Sequence, residues 1–274
     1  GRDSGKISLE IDNGLYHMTY SIKGSRNTLW SESGDPHEIL IRAKGESYRK
    51  YREQWEKTLV FDGVNEWPTQ LEMGLNLSCN YKCPFCPWSQ REDFGTGHEE
   101  WMPFEKFKQT IDEIAGHVPS VSLHALNEPL IRKDMPKFVA YASDKGIPEV
   151  MFNTNGMLLS EDMSRRLIAA GLTKLSVSID AVTPETYSKL RIGGDYKKVM
   201  RNIDNFLRIR GEMGREYPLL KVSFVLNKLN RHELEAFTKK WTGKADLISI
   251  QGLENPFDGE LREELFEMLG ERTS

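Results

Sequence analysis

From residue 71 onward, short runs of strand character alternate with stretches of helical periodicity. The strand-like runs are "LEMGLNL", "VSLHALN", "EVMFNTN", "KLSVSID", "LKVSFVLN" and "DLISIQG". Between them lie "MPFEKFKQTIDEIAGH", "IRKDMPKFVAYASDKG", "SEDMSRRLIAAG", "TPETYSKLR" with "DYKKVMRNIDNFLRIRG", and "NRHELEAFTKKWTGK". Helix punctuation agrees with this division. Ser160 precedes Glu161 and Asp162 as an N-cap with first-turn acids, and Thr183-Pro184 reads as a cap followed by a first-turn proline. Gly146, Gly171 and Gly243 fall just past helical patterns, where a left-handed residue ends a helix. Strand–helix–strand repeats form right-handed crossovers and a parallel sheet, either open or curled into a barrel.

Side chains alternate across a strand, so each run can be split by face. Ser176, Ser178 and Asp180 share one face, opposite Leu175, Val177 and Ile179. Likewise Ser122 and His124 oppose Val121 and Leu123, and Met151, Asn153 and Asn155 oppose Val150 and Phe152. Ser223 and Asn227 oppose Val222, Phe224 and Leu226, and Ser249 and Gln251 oppose Ile248 and Ile250. Parallel sheets covered on both faces usually read as continuous apolar runs. One small, polar face among interleaved helices predicts an incomplete barrel whose lumen holds a large polar ligand. Before residue 70 the pattern differs. "ISLEIDNGLYHMTYSI" alternates around Asn13-Gly14, a hairpin signal, and "SYRKYREQWEK" places Tyr48, Tyr51 and Trp55 on one helical stripe. That aromatic stripe is expected to pack as a strap against the main unit. The division expected is 1–70 as an N-terminal extension, 71–252 as the core, and 253–274 as a C-terminal helix.

Composition narrows the class. With 38% apolar and 28% charged residues, the 274-residue chain has an ordinary globular balance. A net charge of -4 points away from nucleic acid and anionic membranes as partners. No apolar run approaches the roughly 20 residues that span a bilayer. The first ten residues, "GRDSGKISLE", carry no apolar signal region and no initiator Met, so a trimmed or processed start and no secretory leader are expected.

All three cysteines fall in "SCNYKCPFCPWS": Cys79, Cys83 and Cys86, directly after the first strand of the core. So short a spacing builds no disulfide framework and fits a reducing, cytoplasmic setting with metal or redox chemistry. Three chemistries compete. Buried structural thiols sit badly with the polar Asn80, Tyr81 and Lys82 between them. A structural zinc wants four ligands, so His98, His117 or His124 would have to complete the set. An iron–sulfur cluster on three cysteines leaves one iron without a protein ligand, a place where a substrate or cofactor can bind.

The C-x-x-x-C-x-x-C spacing, with aromatic Phe85 before the third cysteine, resembles the radical S-adenosylmethionine (SAM) enzymes. The later motifs agree in order. "NEPL" (127–130) stands where that family carries a Gly-Gly-Glu-type motif, with Asn127 departing from glycine. "NTNG" (153–156) ends the third strand and "SVSIDA" (176–181) the fourth. More narrowly, "YRKYREQWEK", "NEPLIRKDM", "MSRRLIAAGLTKLSVSIDAVTPETYSKLRIGG" and "ADLISIQGLENPFDG" resemble SPASM-type members found in polysaccharide and sugar-modification settings. That subgroup carries a cysteine-rich C-terminal domain with auxiliary clusters. No cysteine follows Cys86 here, and the sequence ends at "LREELFEMLGERTS", close to where that domain is expected to begin.

The resemblance implies a partial (β/α)6 barrel with an N-terminal hairpin and helix extension. It implies a [4Fe–4S] cluster on Cys79, Cys83 and Cys86, with SAM chelating the fourth iron through its amino and carboxylate groups. One-electron reduction by a flavodoxin or ferredoxin type of reductase would cleave SAM to a 5′-deoxyadenosyl radical that abstracts a substrate hydrogen. Glu128 is expected to accept from the SAM ammonium, with Asn127 beside it in the same motif. Ser178 and Asp180 suit the ribose, Arg191 the SAM carboxylate, and Asn153, Asn155 and Asn227 suit adenine or substrate. No residue is singled out as catalytic. The substrate expected is small and sugar-like, oxidised or epimerised. The alternatives are a peptide-modifying radical enzyme and a non-catalytic zinc or iron–sulfur module.

Overall fold

The computed structural model describes residues 8–12, 15–22, 25–31, 35–59, 65–86, 88–90 and 101–252; side chains are described from Ser31 on, Leu59 and Gln90 excepted. Six parallel strands form the core: β4 (Leu71–Glu72), β5 (Ser120–Ser122), β6 (Glu149–Thr154), β7 (Lys174–Ser178), β8 (Leu219–Leu226) and β9 (Leu247–Gly252), each paired with the next. Helices follow as crossovers: α3 (Phe104–Ile114), α4 (Met135–Asp144), α5 (Glu161–Ala169), α6 (Pro184–Leu190), α7 (Tyr196–Glu212) and α8 (Leu234–Trp241). The expected caps form. Ser160 Oγ accepts from the Met163 amide, Thr183 Oγ1 from the Thr186 amide, and Gly146, Gly171 and Gly243 have positive φ. The sheet is an open, partial barrel of (β/α)6 type.

The apolar strand face faces the helices. Val121, Val150, Phe152, Leu175, Val177, Val222 and Phe224 are fully buried in one core with Phe107, Phe138, Leu167, Phe206 and Trp241. The opposite face keeps its small polar residues, and Ser122, Ser176, Ser223 and Ser249 are buried there. Two strands are shorter than the alternation predicts. "LEMGLNL" is a strand only over Leu71–Glu72, and "VSLHALN" only over Ser120–Ser122. Beyond those points Asn76 Oδ1 accepts from the Ser78 amide and Asn127 Oδ1 from the Ala125 amide. Side chains thus replace ladder partners, as Asn does when it competes with regular structure.

The N-terminal part contributes three strands rather than a lone hairpin. β1 (Ser8–Asp12), β2 (Leu15–Ile22) and β3 (Ser25–Ser31) form an antiparallel meander, and β3 pairs antiparallel with β9. The meander therefore extends the core sheet into nine strands. Asp12 pairs with Leu15 as a two-residue hairpin requires, with Asn13-Gly14 itself outside the described residues. The expected C-terminal helix over 253–274 also lies outside them.

Helices α1 (His37–Lys44) and α2 (Glu46–Leu59) close the floor of the barrel. Leu40, Tyr48 and Tyr51 are buried against Leu219, the first residue of β8. At the same level the first residues of β5, β6 and β7 form a buried polar knot around Glu149. Its carboxylate accepts from Tyr51 Oη (2.6 Å), Tyr48 Oη (3.1 Å), Lys174 Nζ (2.9 Å) and Ser120 Oγ (3.4 Å). Burial opposes the charge on Glu149, but the Lys174 ammonium and the Tyr51 hydroxyl outweigh it and hold the carboxyl below its ordinary value.

Breaking this pair leaves a lysine buried without its counter-charge, so Glu149→Gln is expected to destabilise the fold by roughly 3 kcal/mol. Pairing Glu149→Met with Lys174→Met should recover much of that loss, as urea denaturation of the single and double variants would show. A carboxyl held low in the fold contributes stability that is fully present above its unfolded value near 4.5 and is lost as pH falls from there through the lower folded value. The acid limb of the parent should therefore flatten in Glu149→Gln.

Candidate functional site

The C-terminal ends of the parallel strands, where such folds gather their chemistry, border one open cleft of about 230 Å³. Cys79, Cys83 and Cys86 line it from one side. Asn127, Glu128, Asn155, Ser178 and Arg191 line it from strand ends β5 to β7 and beyond, with His124, Asn153 and Thr154 among them. Nine of the eleven site residues expected from the sequence thus meet in one place. Asp180 and Asn227 do not border it.

The cysteine loop is held by its own backbone and by two side chains that the sequence reading did not single out. The Cys86 amide donates to the Cys83 carbonyl (3.1 Å), and the Ser89 hydroxyl donates to the carbonyls of Cys83 (2.5 Å) and Cys86 (3.0 Å). Trp88 Nε1 donates back to the Leu77 carbonyl (3.2 Å). On the other side, the Lys82 amide donates to the Ile192 carbonyl (2.9 Å), and the loop packs against Gly193-Gly194. A Cβ on Gly194 would lie 2.5 Å from Tyr81 Oη, whose hydroxyl is bonded to that of Tyr187 (3.1 Å). The glycine pair is a spacing requirement, and its place just past Arg191 and Ile192 was the available signal.

Glu128 is the buried centre of the strand ends. Its carboxylate accepts from the Leu130 amide (3.0 Å), Thr154 Oγ1 (2.6 Å) and the Asn155 amide (2.7 Å). Burial raises its pKa, with these donors and Arg191 pulling the other way. The same carboxylate that borders the cleft therefore also fixes the turn after β6. Asn155 continues the tie, donating through Nδ2 to Asn80 Oδ1 (2.8 Å) inside the cysteine loop. Asn127 is half-buried, and its Nδ2 donates to Asn76 Oδ1 (3.3 Å).

Arg191 is the cationic counterpart. It forms an ion pair with Asp180, Nη1 lies 3.6 Å from Cys83 Sγ, and the guanidinium sits 5.2 Å from the Phe85 ring centre. Burial works against its charge, but Asp180 and Cys83 more than offset that and stabilise the cation. Alternation predicts Asp180 beside Ser178 on the lumen face. Instead β7 ends at Ser178 and Asp180 takes φ +62, a left-handed conformation that Asp tolerates. Its Oδ1 accepts from the Val225 amide (2.7 Å), so Asp180 steadies Arg191 and β8, and it does not border the cleft. Asn227 is likewise turned to local work. Its Nδ2 donates to the Val225 carbonyl (3.0 Å) and its Oδ1 accepts from the Leu229 amide (2.9 Å). Ser178 and Asn153 remain at the cleft, and Asn153 Oδ1 is buried without a hydrogen-bond partner.

The donor set suits an iron–sulfur cluster better than a single ion. Burial pushes the Cys79 thiol up to about 12, so a thiolate there needs a cation at the sulfur. A zinc ion would draw its thiolates to within about 4 Å of one another, given Zn–S bonds near 2.3 Å. Among the described residues no three His, Cys, Asp or Glu side chains converge on one point in that way. A cluster gives each thiolate its own iron. Of the histidines considered for zinc, His117 stacks on Trp67 with ring centres 4.6 Å apart, and His124 Nδ1 is bonded to Ser122 Oγ (2.6 Å). His98 lies outside the described residues.

A partial barrel with three thiols on the loop after its first strand defines a class, and comparison with known proteins gives it a name. The family model of the radical SAM superfamily matches residues 76–239, well over half of the chain. The chain belongs to that superfamily, whose cofactors are a [4Fe–4S] cluster and SAM. Among curated proteins it is 32% identical over 163 residues to Fe-coproporphyrin III synthase of Methanosarcina barkeri, covering 59% of this chain and 38% of that protein. It is 30% identical over 176 residues to a probable GTP 3′,8-cyclase of Methanococcus vannielii, covering 61% of this chain and 54% of that one. The chain thus spans about half or less of the length of these relatives. Among solved structures, anSMEcpe with bound AdoMet superposes with a TM-score of 0.54 at 16% identity, over 70% of this chain and 53% of that one. Streptococcus suis SuiB bound to S-adenosylmethionine gives 0.52 at 15% identity, over 87% and 60%. At that identity the likeness is one of fold.

Gly194→Ala should displace Tyr81 and the cysteine loop with it, costing about 1–3 kcal/mol as overpacking does. The expected result is a lower iron content after anaerobic reconstitution. Gly211→Ala, where a Cβ meets nothing within 4 Å, should load like the parent and serves as the control.

Proposed function

We propose that Cys79, Cys83 and Cys86 hold the [4Fe–4S] cluster and that the chain is the core of a radical SAM enzyme acting on a small, hydroxyl-rich substrate. When bound, the cluster and SAM supply a one-electron cleavage that yields a 5′-deoxyadenosyl radical able to take a hydrogen atom from carbon. The chain's own residues orient and shield. Arg191, already held by Asp180 and in reach of Cys83, offers its guanidinium to the SAM carboxylate. Glu128 presents the carboxylate edge nearest the cleft to the SAM ammonium, flanked by Asn127. Asn155 keeps the cysteine loop against this wall, and Ser178 gives its hydroxyl to the ribose. Asp180 and Asn227 act behind these groups by fixing Arg191 and the end of β8.

The observation that carries the reading is that the thiol loop and the polar strand face meet at one cleft. Below it the lumen is lined by Ser122, Asn153, Ser176, Ser223 and Ser249, with few aliphatic side chains. Such groups match hydroxyls, and a site built to bond them rejects molecules lacking them. The reading takes the substrate to be sugar-like and oxidised or epimerised, as in the SPASM-type members the motifs resemble. It takes residues 71–252 as the radical core, 1–70 as an extension to it, and a flavodoxin or ferredoxin as cytoplasmic electron donor. No described helix is long and apolar enough to cross a membrane.

Protein reconstituted without air should carry about four iron and four sulfide, as one cluster requires. Stoichiometric zinc without labile sulfide would remove the cluster assignment. Arg191→Met should weaken SAM binding by roughly 10- to 100-fold in calorimetry, the range of a lost charge-assisted bond, and Ser178→Ala by less. Ring-deuterated sugars should transfer deuterium to 5′-deoxyadenosine. Transfer from a labelled peptide and from no sugar would instead establish a peptide-modifying enzyme.

A further inference from the structure

Below the cleft the lumen holds a cation that forms no ion pair among the described residues. Lys221 of β8 is in register with Ser176 of β7, which is in register with Asn153 of β6. Parallel partners in register share a face, so Lys221 lies on the lumen face, at the level of a residue that borders the cleft. Lys174 and its partner Leu219 lie one step lower, on the barrel floor. The layer of Lys221 is therefore between the floor and the opening.

Among the described residues only Glu149 supports its charge, and from a distance at which no ion pair forms. Lys221 is half-buried, and it makes no hydrogen bond or ion pair with the described residues. Glu149, the acid of the floor, is already occupied by Lys174, Tyr48 and Tyr51. The hydroxyls of Ser176 and Ser223, its neighbours on the same face, are bonded to each other at 3.2 Å. Glu72, another carboxylate on this face, stands four strands away along the sheet, and its pKa responds to burial alone. Burial and the nearby Lys174 push the Lys221 ammonium down to about 8, and Lys221 in turn disfavours a charge on His124 at the cleft. A surface lysine would escape such a place by reaching water. Here the side chain is fixed mid-strand in a lumen with a closed floor, and a partly desolvated ammonium gains most from an anion delivered to it.

We propose that Lys221 receives an anionic group of the substrate, a phosphate or a carboxylate carried by the same small polar molecule whose carbon–hydrogen bond lies at the cleft. This rests on the reading that the substrate occupies the lumen. It adds a charge requirement that the serine and asparagine lining does not impose, and it places the anion at the floor end of the molecule.

The test uses holoprotein, with cluster and SAM loaded, titrated calorimetrically with glucose 6-phosphate, gluconate and glucose. At least one of the two anions should bind roughly 10- to 100-fold more tightly than glucose, and which one does distinguishes phosphate from carboxylate. Lys221→Met should erase that preference, while Lys221→Arg keeps it and both variants bind SAM as the parent does. As a second readout, lysines dimethylated with 13C should show one NMR signal, absent from Lys221→Met, that shifts saturably with the bound anion. Anions binding no better than glucose, or a preference that survives Lys221→Met, would overturn the proposal. Deuterium transfer from a neutral sugar that Lys221→Met leaves unchanged removes this inference but keeps the functional reading. A Lys221-dependent anion site with no transfer from any sugar does the reverse.

Discussion

A parallel sheet built through crossover helices has one face packed by those helices, and its other face must be given something to do. In this chain that second face is polar, and its polarity governs the arrangement around it. Apolar residues on it would have filled the barrel with its own side chains, as branched aliphatics fill closed eight-stranded barrels. Serines and asparagines leave room and unsatisfied hydrogen-bonding capacity instead. Some of that capacity is spent internally, as between Ser176 and Ser223 or Ser122 and His124. The buried Asn153 Oδ1 keeps its share unused among the described residues.

The charges follow the same logic at three levels. On the floor, Glu149 and Lys174 are buried together and saturated by tyrosine hydroxyls, so the pair closes the lumen without attracting a ligand. At the strand ends, Glu128 and Arg191 are each anchored by partners and still border the cleft. Between them Lys221 has no such partner among the described residues. A group already satisfied by protein donors holds structure, whereas one held in place but incompletely paired is prepared to bind.

The architecture was legible because periodicity and caps reported it directly. Strand faces, the caps at Ser160 and Thr183, and the glycines ending helices all stand where the residues indicate. The cysteine spacing likewise located the cleft. What the sequence hid lies where regular geometry stops. Alternation gave Asp180 a lumen-facing place, but the left-handed backbone after Ser178 turns its carboxylate to Arg191 and Val225. Asn227 resembled a lumen amide and is consumed by its own turn. The contact of Gly194 with Tyr81 depends on how two distant loops approach, which no local pattern encodes. The third N-terminal strand and its pairing with β9 are long-range in the same sense.

The floor formed by α1 and α2 bears on how the chain can be divided. These helices precede the barrel in sequence, yet Tyr48 and Tyr51 supply hydroxyls to an acid that begins one of its inner strands. The segment is joined to the barrel through buried contacts at Glu149 and Leu219. A core begun at residue 71 would be a tube open at both ends, with Glu149 and Lys174 facing water where they now face tyrosines. Where the working unit begins therefore cannot be assigned from the strand–helix repeat alone, because a buried acid of the barrel is satisfied by hydroxyls that precede it in sequence.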